Sequence, residues 1–173
     1  MKLWVTGAAV AAMLALTGIA SAQESTNRVA TRTDWSVFTE ASPRECWGVS
    51  APKQTVNTRD GRPVSVRRGD IFLFVTFRPG TGAAGEISFT GGYPFAPNST
   101  VSVQIGSDRF ELFTDNEWAW PQNAQADAAL LAAMKRGTEA VLTARSARGT
   151  QTVDTFSLLG FTAAMTEAEA RCK

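Results

Sequence analysis

From Asp34 onward the chain alternates apolar and polar residues far more often than it groups them. In "TDWSVFTE", Trp35, Val37 and Thr39 fall on one side and Ser36 and Phe38 on the other, the period-two pattern of a strand. "ECWGVS" continues as a second strand after the turn residues Ser42-Pro43. In "QTVNTRDGRPVSVRRGD", Asp60-Gly61 sits between two polar, β-branched arms, a strong hairpin signal. Those arms hold little apolar material, which predicts a hairpin that projects or lies on an edge. Ile71–Phe77, "IFLFVTF", is apolar on both faces and predicts a central buried strand. Further strands are expected at "EISFT", at "TVSVQIG" with Val101, Val103 and Ile105 on one face, at "DRFELF", and at "EAVLTARS" and "TQTVDTF" on either side of Arg148-Gly149.

Helical spacing replaces this pattern twice. Asn123 is placed to cap "AQADAALLAAMKR", in which Leu130, Leu131 and Met134 form an apolar stripe. Lys135 and Arg136 suit the negative end of the helix dipole and Gly137 stops the helix. In the tail, Phe161, Ala164, Met165 and Ala168 recur at helical spacing, and Cys172 falls on the same face. Many short strands plus one internal and one C-terminal helix predict a mainly β fold, an antiparallel β-sandwich or partly closed barrel. We read residues 34–173 as a single domain and 23–33 as a flexible N-terminal segment ahead of it.

The first 22 residues change the setting. Lys2, an apolar run from Leu3 to Ala20 and the small-residue site Ala20-Ser21-Ala22 read as a secretory signal peptide, with cleavage before Gln23. The expected location is therefore the periplasm or the exterior, with no transmembrane segment after cleavage. In an oxidising compartment the two cysteines have one possible pairing, Cys46 with Cys172. Of 17 basic and 16 acidic residues, Lys2 leaves with the signal, so the mature domain is formally neutral and nucleic acid is not an expected partner.

The absence of histidine removes Ser-His-Asp triads, Cys-His dyads and ordinary zinc sites. With no G-x-S-x-G, P-loop or G-x-G-x-x-G motif either, no catalytic, cofactor-binding or metal-binding residue is assigned, and no cofactor is expected. "TDNEWAWP" offers a ligand loop in Trp118 and Trp120, with Asp115 and Glu117 as carboxylates beside them. Its plainer reading has one tryptophan filling the core and the carboxylates on a solvated turn. Arg59, Arg62, Arg67 and Arg68 form a basic turn that could contact an anionic partner, or simply protect a sheet edge from aggregation. "GGYPF" is either a ligand lip or ordinary turn chemistry.

"DWSVF", the "CW" strand, "RGDIFLFVTFRP", "GGYPF", "AAMKRG", "RGTQTVDTFSLLGF" and the terminal cysteine together resemble the invasion-associated locus B family of exported alphaproteobacterial proteins. The resemblance spans residues 34 to 172. Many members carry a further cysteine pair that this chain lacks, so their full disulfide framework does not transfer. The resemblance implies an exported, non-enzymatic envelope or secreted protein that acts through surface contacts, with a role in host interaction or invasion. It supplies no catalytic residue, and it leaves the envelope or host-side partner and the oligomeric state open. Two alternatives stand beside it: a small-molecule or glycan-binding module using the Trp118/Trp120 loop, and a carboxylate-dependent hydrolase.

Overall fold

The computed structural model describes residues 26–173; the expected signal peptide, residues 1–22, and its cleavage site lie outside them. In chain order the strands are β1 (Arg28–Arg32), β2 (Trp35–Ala41), β3 (Arg44–Ser50), β4 (Gln54–Arg59), β5 (Arg62–Pro63), β6 (Phe72–Arg78) and β7 (Ala83–Thr90). They continue as β8 (Thr100–Ile105), β9 (Asp108–Asp115), β10 (Trp118–Trp120), β11 (Glu139–Arg145) and β12 (Gln151–Ser157), with helix α1 (Ala124–Arg136) before β11 and helix α2 (Phe161–Arg171) at the end. The described strands form one antiparallel sheet in the order β1-β2-β3-β6-β7-β10-β9-β8-β11-β12-β4-β5.

The sheet is not closed, but it curls. Phe89 of β7 meets Phe156 of β12 with ring centroids 6.1 Å apart, although four strands lie between them in the order. The indole N–H of Trp35 donates to the carbonyl of Ser157 at 3.0 Å, joining β2 to the end of β12. One continuous core results, containing Trp35, Val37, Leu73, Val75, Ile87, Val101, Val103, Leu112, Leu142 and Phe156. The alternation predicted for β2, β8 and β11 is the alternation observed.

Two expectations are corrected. The segment read as flexible, residues 23–33, contains β1, whose Thr31 and Arg32 pair with Ser36 and Trp35 of β2. The stretch Ile71–Phe77 is central but is not buried on both faces: Leu73, Val75 and Phe77 face the core, whereas Phe72 and Phe74 lie half-buried on the opposite side. Among the described residues no helix covers that side of β6, and its phenylalanines stay half-buried. The β4–β5 hairpin sits at the end of the strand order, the edge position its polar arms suggested.

Both helices follow the sequence closely. The side chain of Asn123 accepts a hydrogen bond from the Ala126 N–H at 3.0 Å, and α1 buries Leu130 and Met134 of the expected stripe together with Ala133, whereas Leu131 is only half-buried. In α2, Phe161, Ala164, Met165 and Ala168 are buried against β1, β2 and β3. Gly48 explains the close fit: a Cβ there would collide with Cε of Met165. At the end of α2, Cys172 is bonded to Cys46 of β3 with Cα atoms 5.9 Å apart, within the span a disulfide requires.

Candidate functional site

Two surfaces collect the residues with chemistry to offer. The first is the face of the sheet away from α2. Residues directly opposite one another on antiparallel strands share a face, and the register places Phe38 opposite Trp47, Val49 opposite Phe74, and Trp120 opposite Phe113. The rings touch in two groups. Phe38 and Trp47 stack at 5.6 Å with planes 7° apart. Phe74 meets Phe72 at 5.7 Å and Trp118 at 5.9 Å. Trp118 stacks near Trp120 at 6.5 Å and 22°, and Trp120 meets Phe113 at 5.5 Å. Strand β7 contributes the small outward residues Ser88 and Thr90, opposite Phe74 and Phe72, which leaves room for Phe74 and Trp118 to meet across it.

This row stays in contact with solvent. Trp118 is 39% exposed and Phe113 47% exposed, an arrangement that a monomeric protein rarely keeps without a use for it. Trp47 and Phe74 form a ridge shared by two hollows. One hollow, of about 610 Å³, runs past Phe38 and Phe72 to the ion pair between Asp34 and Lys53, whose atoms are 2.6 Å apart. The other, of about 360 Å³, runs past Trp118 and Trp120 to Glu40, Glu45, Arg78 and Glu86. There Arg78 holds Glu45 at 2.9 Å and Glu86 at 3.2 Å. Three carboxylates around one guanidinium leave this end acidic.

The second surface is a cleft of about 500 Å³ where three separate segments meet: the chain after β5, the turn Gly92-Tyr93-Pro94 and the β11–β12 turn. Gly69 donates to the carbonyl of Gly92 at 2.8 Å. Gly92 has φ +71, and a Cβ on it would run into the Gly69 backbone, so the two glycine turns interlock. Beneath them Arg68 grips Asp154 of β12 through two hydrogen bonds, 2.8 and 2.6 Å, and also donates to the Gly91 carbonyl at 2.9 Å. The Arg68 side chain is 7% exposed and that of Asp154 0%. Its guanidinium also lies 5.0 Å from the centre of the Tyr93 ring, and the Tyr93 hydroxyl pairs with that of Thr152. Burial pushes the Asp154 carboxyl above its ordinary value, with Arg68 opposing the shift; burial raises Tyr93 as well.

Each residue singled out in the sequence now has a place. Trp118 and Trp120 belong to strand β10, inserted between β7 and β9, and not to a loop. Neither fills the core; Ala119 does, at 0% exposure. Of the basic turn, Arg59 and Arg67 line the cleft, whereas Arg62 lies on the exposed β5 arm. Arg68 departs from the other three: its charge is committed inside the protein to Asp154. Asp115 and Glu117 flank Asn116 at the β9–β10 turn, and Glu117 opens onto the arginine cleft. Among the described residues, no group of three or more acidic or cysteine side chains could hold a metal ion, and no helix is long and apolar enough to cross a membrane.

Sequence reasoning passed over Phe38, Trp47, Phe74 and Phe113 as parts of one surface, and over Arg148 and Asp154. The signal for Asp154 was present: it stands between Thr152 and Phe156 on the inward side of β12, where a lone carboxylate requires a partner. For the aromatic row the alternation marked the outward rings, but the strand order that joins them is not written locally.

The comparisons with known proteins bear on the whole chain. No curated protein matches it. Among solved structures, invasion associated protein B from Bartonella henselae has the same fold, with a TM-score of 0.55, 15% identity, and coverage of 82% of this chain and 95% of that one. The family model for invasion associated locus B (IalB) protein matches residues 35–169. That match takes in the domain from β2 nearly to the end of α2, and the chain belongs to the IalB family.

Proposed function

We propose that this IalB protein is exported to the periplasm or beyond and works there without catalysis, by binding a linear neutral glycan along the aromatic face of its sheet. One observation carries the reading: the row Phe38, Trp47, Phe74, Trp118, Trp120 and Phe113, exposed at Trp118 and Phe113 and half-buried elsewhere, whose members contact one another in pairs on one face of the sheet. The row crosses from β2 to β9, a width of about 24 Å at ordinary strand spacing. That is the scale of an extended polymer. The negative faces of aromatic rings attract the positively polarised C–H face of a sugar, while Glu40, Glu45, Glu86 and Arg78 supply acceptors and a donor for hydroxyls alongside. The acidic rim disfavours anionic polymers and anionic membrane surfaces. The Cys46–Cys172 bond supports an oxidising compartment. Host interaction as the setting rests on the family's name alone.

The test is titration of the oxidised chain with linear neutral oligosaccharides, followed by tryptophan fluorescence and calorimetry. Saturable binding is expected, weakened roughly tenfold or more by Trp118→Ala and by Trp120→Ala. Both side chains are at the surface, so the fold should survive their loss. Absence of binding across hexose and N-acetylhexosamine chains, or binding indifferent to both variants, would overturn the reading. Turnover of any of these sugars would overturn its non-enzymatic part.

A further inference from the structure

The arginine cleft lies apart from the aromatic row and has a separate chemistry. Arg59, Arg67, Arg68 and Arg148 line it, together with Glu117. Arg68 is neutralised by Asp154. Arg59 donates to the Thr150 hydroxyl at 2.8 Å, and Arg59, Arg67 and Arg148 make no ion pair among the described residues. Three unpaired cations facing one hollow repel each other, and an anion in that hollow removes the repulsion.

The walls are held in place before anything binds. Arg148 stands on a turn fixed by Ala147 N–H to the Pro94 carbonyl at 2.9 Å, Ser146 N–H to the Thr150 carbonyl at 2.8 Å and Gly149 N–H to the Ser146 carbonyl at 2.8 Å. Arg67 is presented by the residue beside it, since Arg68 is anchored inward to Asp154 and to the Gly91 carbonyl. The anchored Arg68 fixes the backbone on which Arg67 stands, and both residues border the hollow. Planar guanidinium forks carried on fixed backbone suit an oxyanion with several acceptor atoms.

We propose that this cleft binds a phosphomonoester carried on a sugar or glycerol unit. A phosphomonoester near pH 7 carries about −1.5 to −2 charges and three acceptor oxygens, which matches three unpaired guanidiniums better than a single carboxylate would. The hollow of about 500 Å³ exceeds a phosphate group and leaves space for the attached polyol. Glu117 at its rim accepts a hydroxyl of that unit.

The oxidised chain is titrated with glucose 1-phosphate, with glucose, and with phosphatidylcholine vesicles with and without phosphatidic acid. Variants Arg67→Gln and Arg148→Gln remove cleft cations, Arg148→Lys keeps the charge without the fork, and Arg62→Gln removes a cation outside the cleft. Saturable binding of glucose 1-phosphate but not glucose, lowered at least tenfold by R67Q and R148Q, partly restored in R148K and unmoved by R62Q, supports a soluble ligand. The same variant pattern seen with phosphatidic acid vesicles alone supports a headgroup on a membrane. Equal losses in R62Q and R148Q mean attraction to general surface charge and overturn the site. No binding to either phosphomonoester at low salt overturns it as well.

Discussion

Single residues decide what the two surfaces have available. Arg67 and Arg68 are neighbours of the same type, yet one faces the cleft and the other is sealed against Asp154. Removing one member of such a pair leaves a buried charge without compensation, which costs about 3 to 5 kcal/mol, whereas replacing both by apolar groups of similar size is often close to neutral. Accordingly, Asp154→Asn and Arg68→Gln should each lower the urea midpoint strongly, and the double replacement Arg68→Met with Asp154→Leu should recover much of the loss. Equal damage in single and double variants would show that the pair does more than neutralise itself. The acidic limb of stability belongs to other residues. Arg171 beside Glu167, aided by Arg32, holds that carboxyl below its ordinary value, and Lys53 beside Asp34, aided by Ser157, does the same there. A depressed carboxyl contributes stability that is present above its unfolded value, near pH 4, and is lost as pH falls through its lower folded value. Asp34→Asn and Glu167→Gln should therefore flatten the fall in urea midpoint below about pH 4.5 relative to the parent chain.

Among the elements, β10 carries consequences out of proportion to its length. Its three residues, Trp118-Ala119-Trp120, bridge β9 and β7 while turning both indoles outward. The inward Ala119 is fully buried beneath the sheet, so a larger residue there must displace the packed core. Ala119→Leu should cost about 1 to 3 kcal/mol and disturb sugar binding without touching either tryptophan. Calorimetric unfolding alongside titration separates the two effects. Helix α2 illustrates the opposite case, an element whose sequence pattern and position agree: its apolar residues meet β2 and β3, and Gly48 yields space for Met165. Gly48→Ala should loosen α2 selectively, read as faster amide exchange along Phe161–Arg171.

At the scale of the molecule, the Cys46–Cys172 bond joins residues 126 apart in the chain. It ties the end of α2 to β3, one side of the curled sheet. Closing so long a loop in the unfolded chain is worth about 4 to 5 kcal/mol in the chain-entropy model, and removing native disulfides commonly costs about 2 to 5 kcal/mol. Reduction, or Cys172→Ser, should destabilise the domain by that amount and expose the tail to proteolysis first. Limited digestion with mass readout checks this: cleavage starting within the β4–β5 hairpin in place of the tail would contradict it. The curl of the sheet also separates the two candidate surfaces, since one lies on its outer face and the other where β12 meets the turns after β5 and β7. Loss of one activity should therefore leave the other intact.

The chain's own pattern determined the local elements. Alternation marked β2, β3, β8, β11 and β12, Asn123 and Gly137 bounded α1, the spacing from Phe161 to Cys172 set the buried face of α2, and two cysteines admitted one bond. These follow from short-range geometry, where side-chain direction repeats every two or about 3.6 residues. Tertiary structure alone decided which outward residues become neighbours. Phe38, Phe74 and Trp118 share one row because β6 and β7 lie between β3 and β10, a pairing set by long-range closure of the core. The same closure brought Asp154 under Arg68, consuming one arginine of the basic turn and leaving Arg59, Arg67 and Arg148 facing a common cleft. No local pattern distinguishes those arginines, because what separates them is burial against a strand 86 residues away.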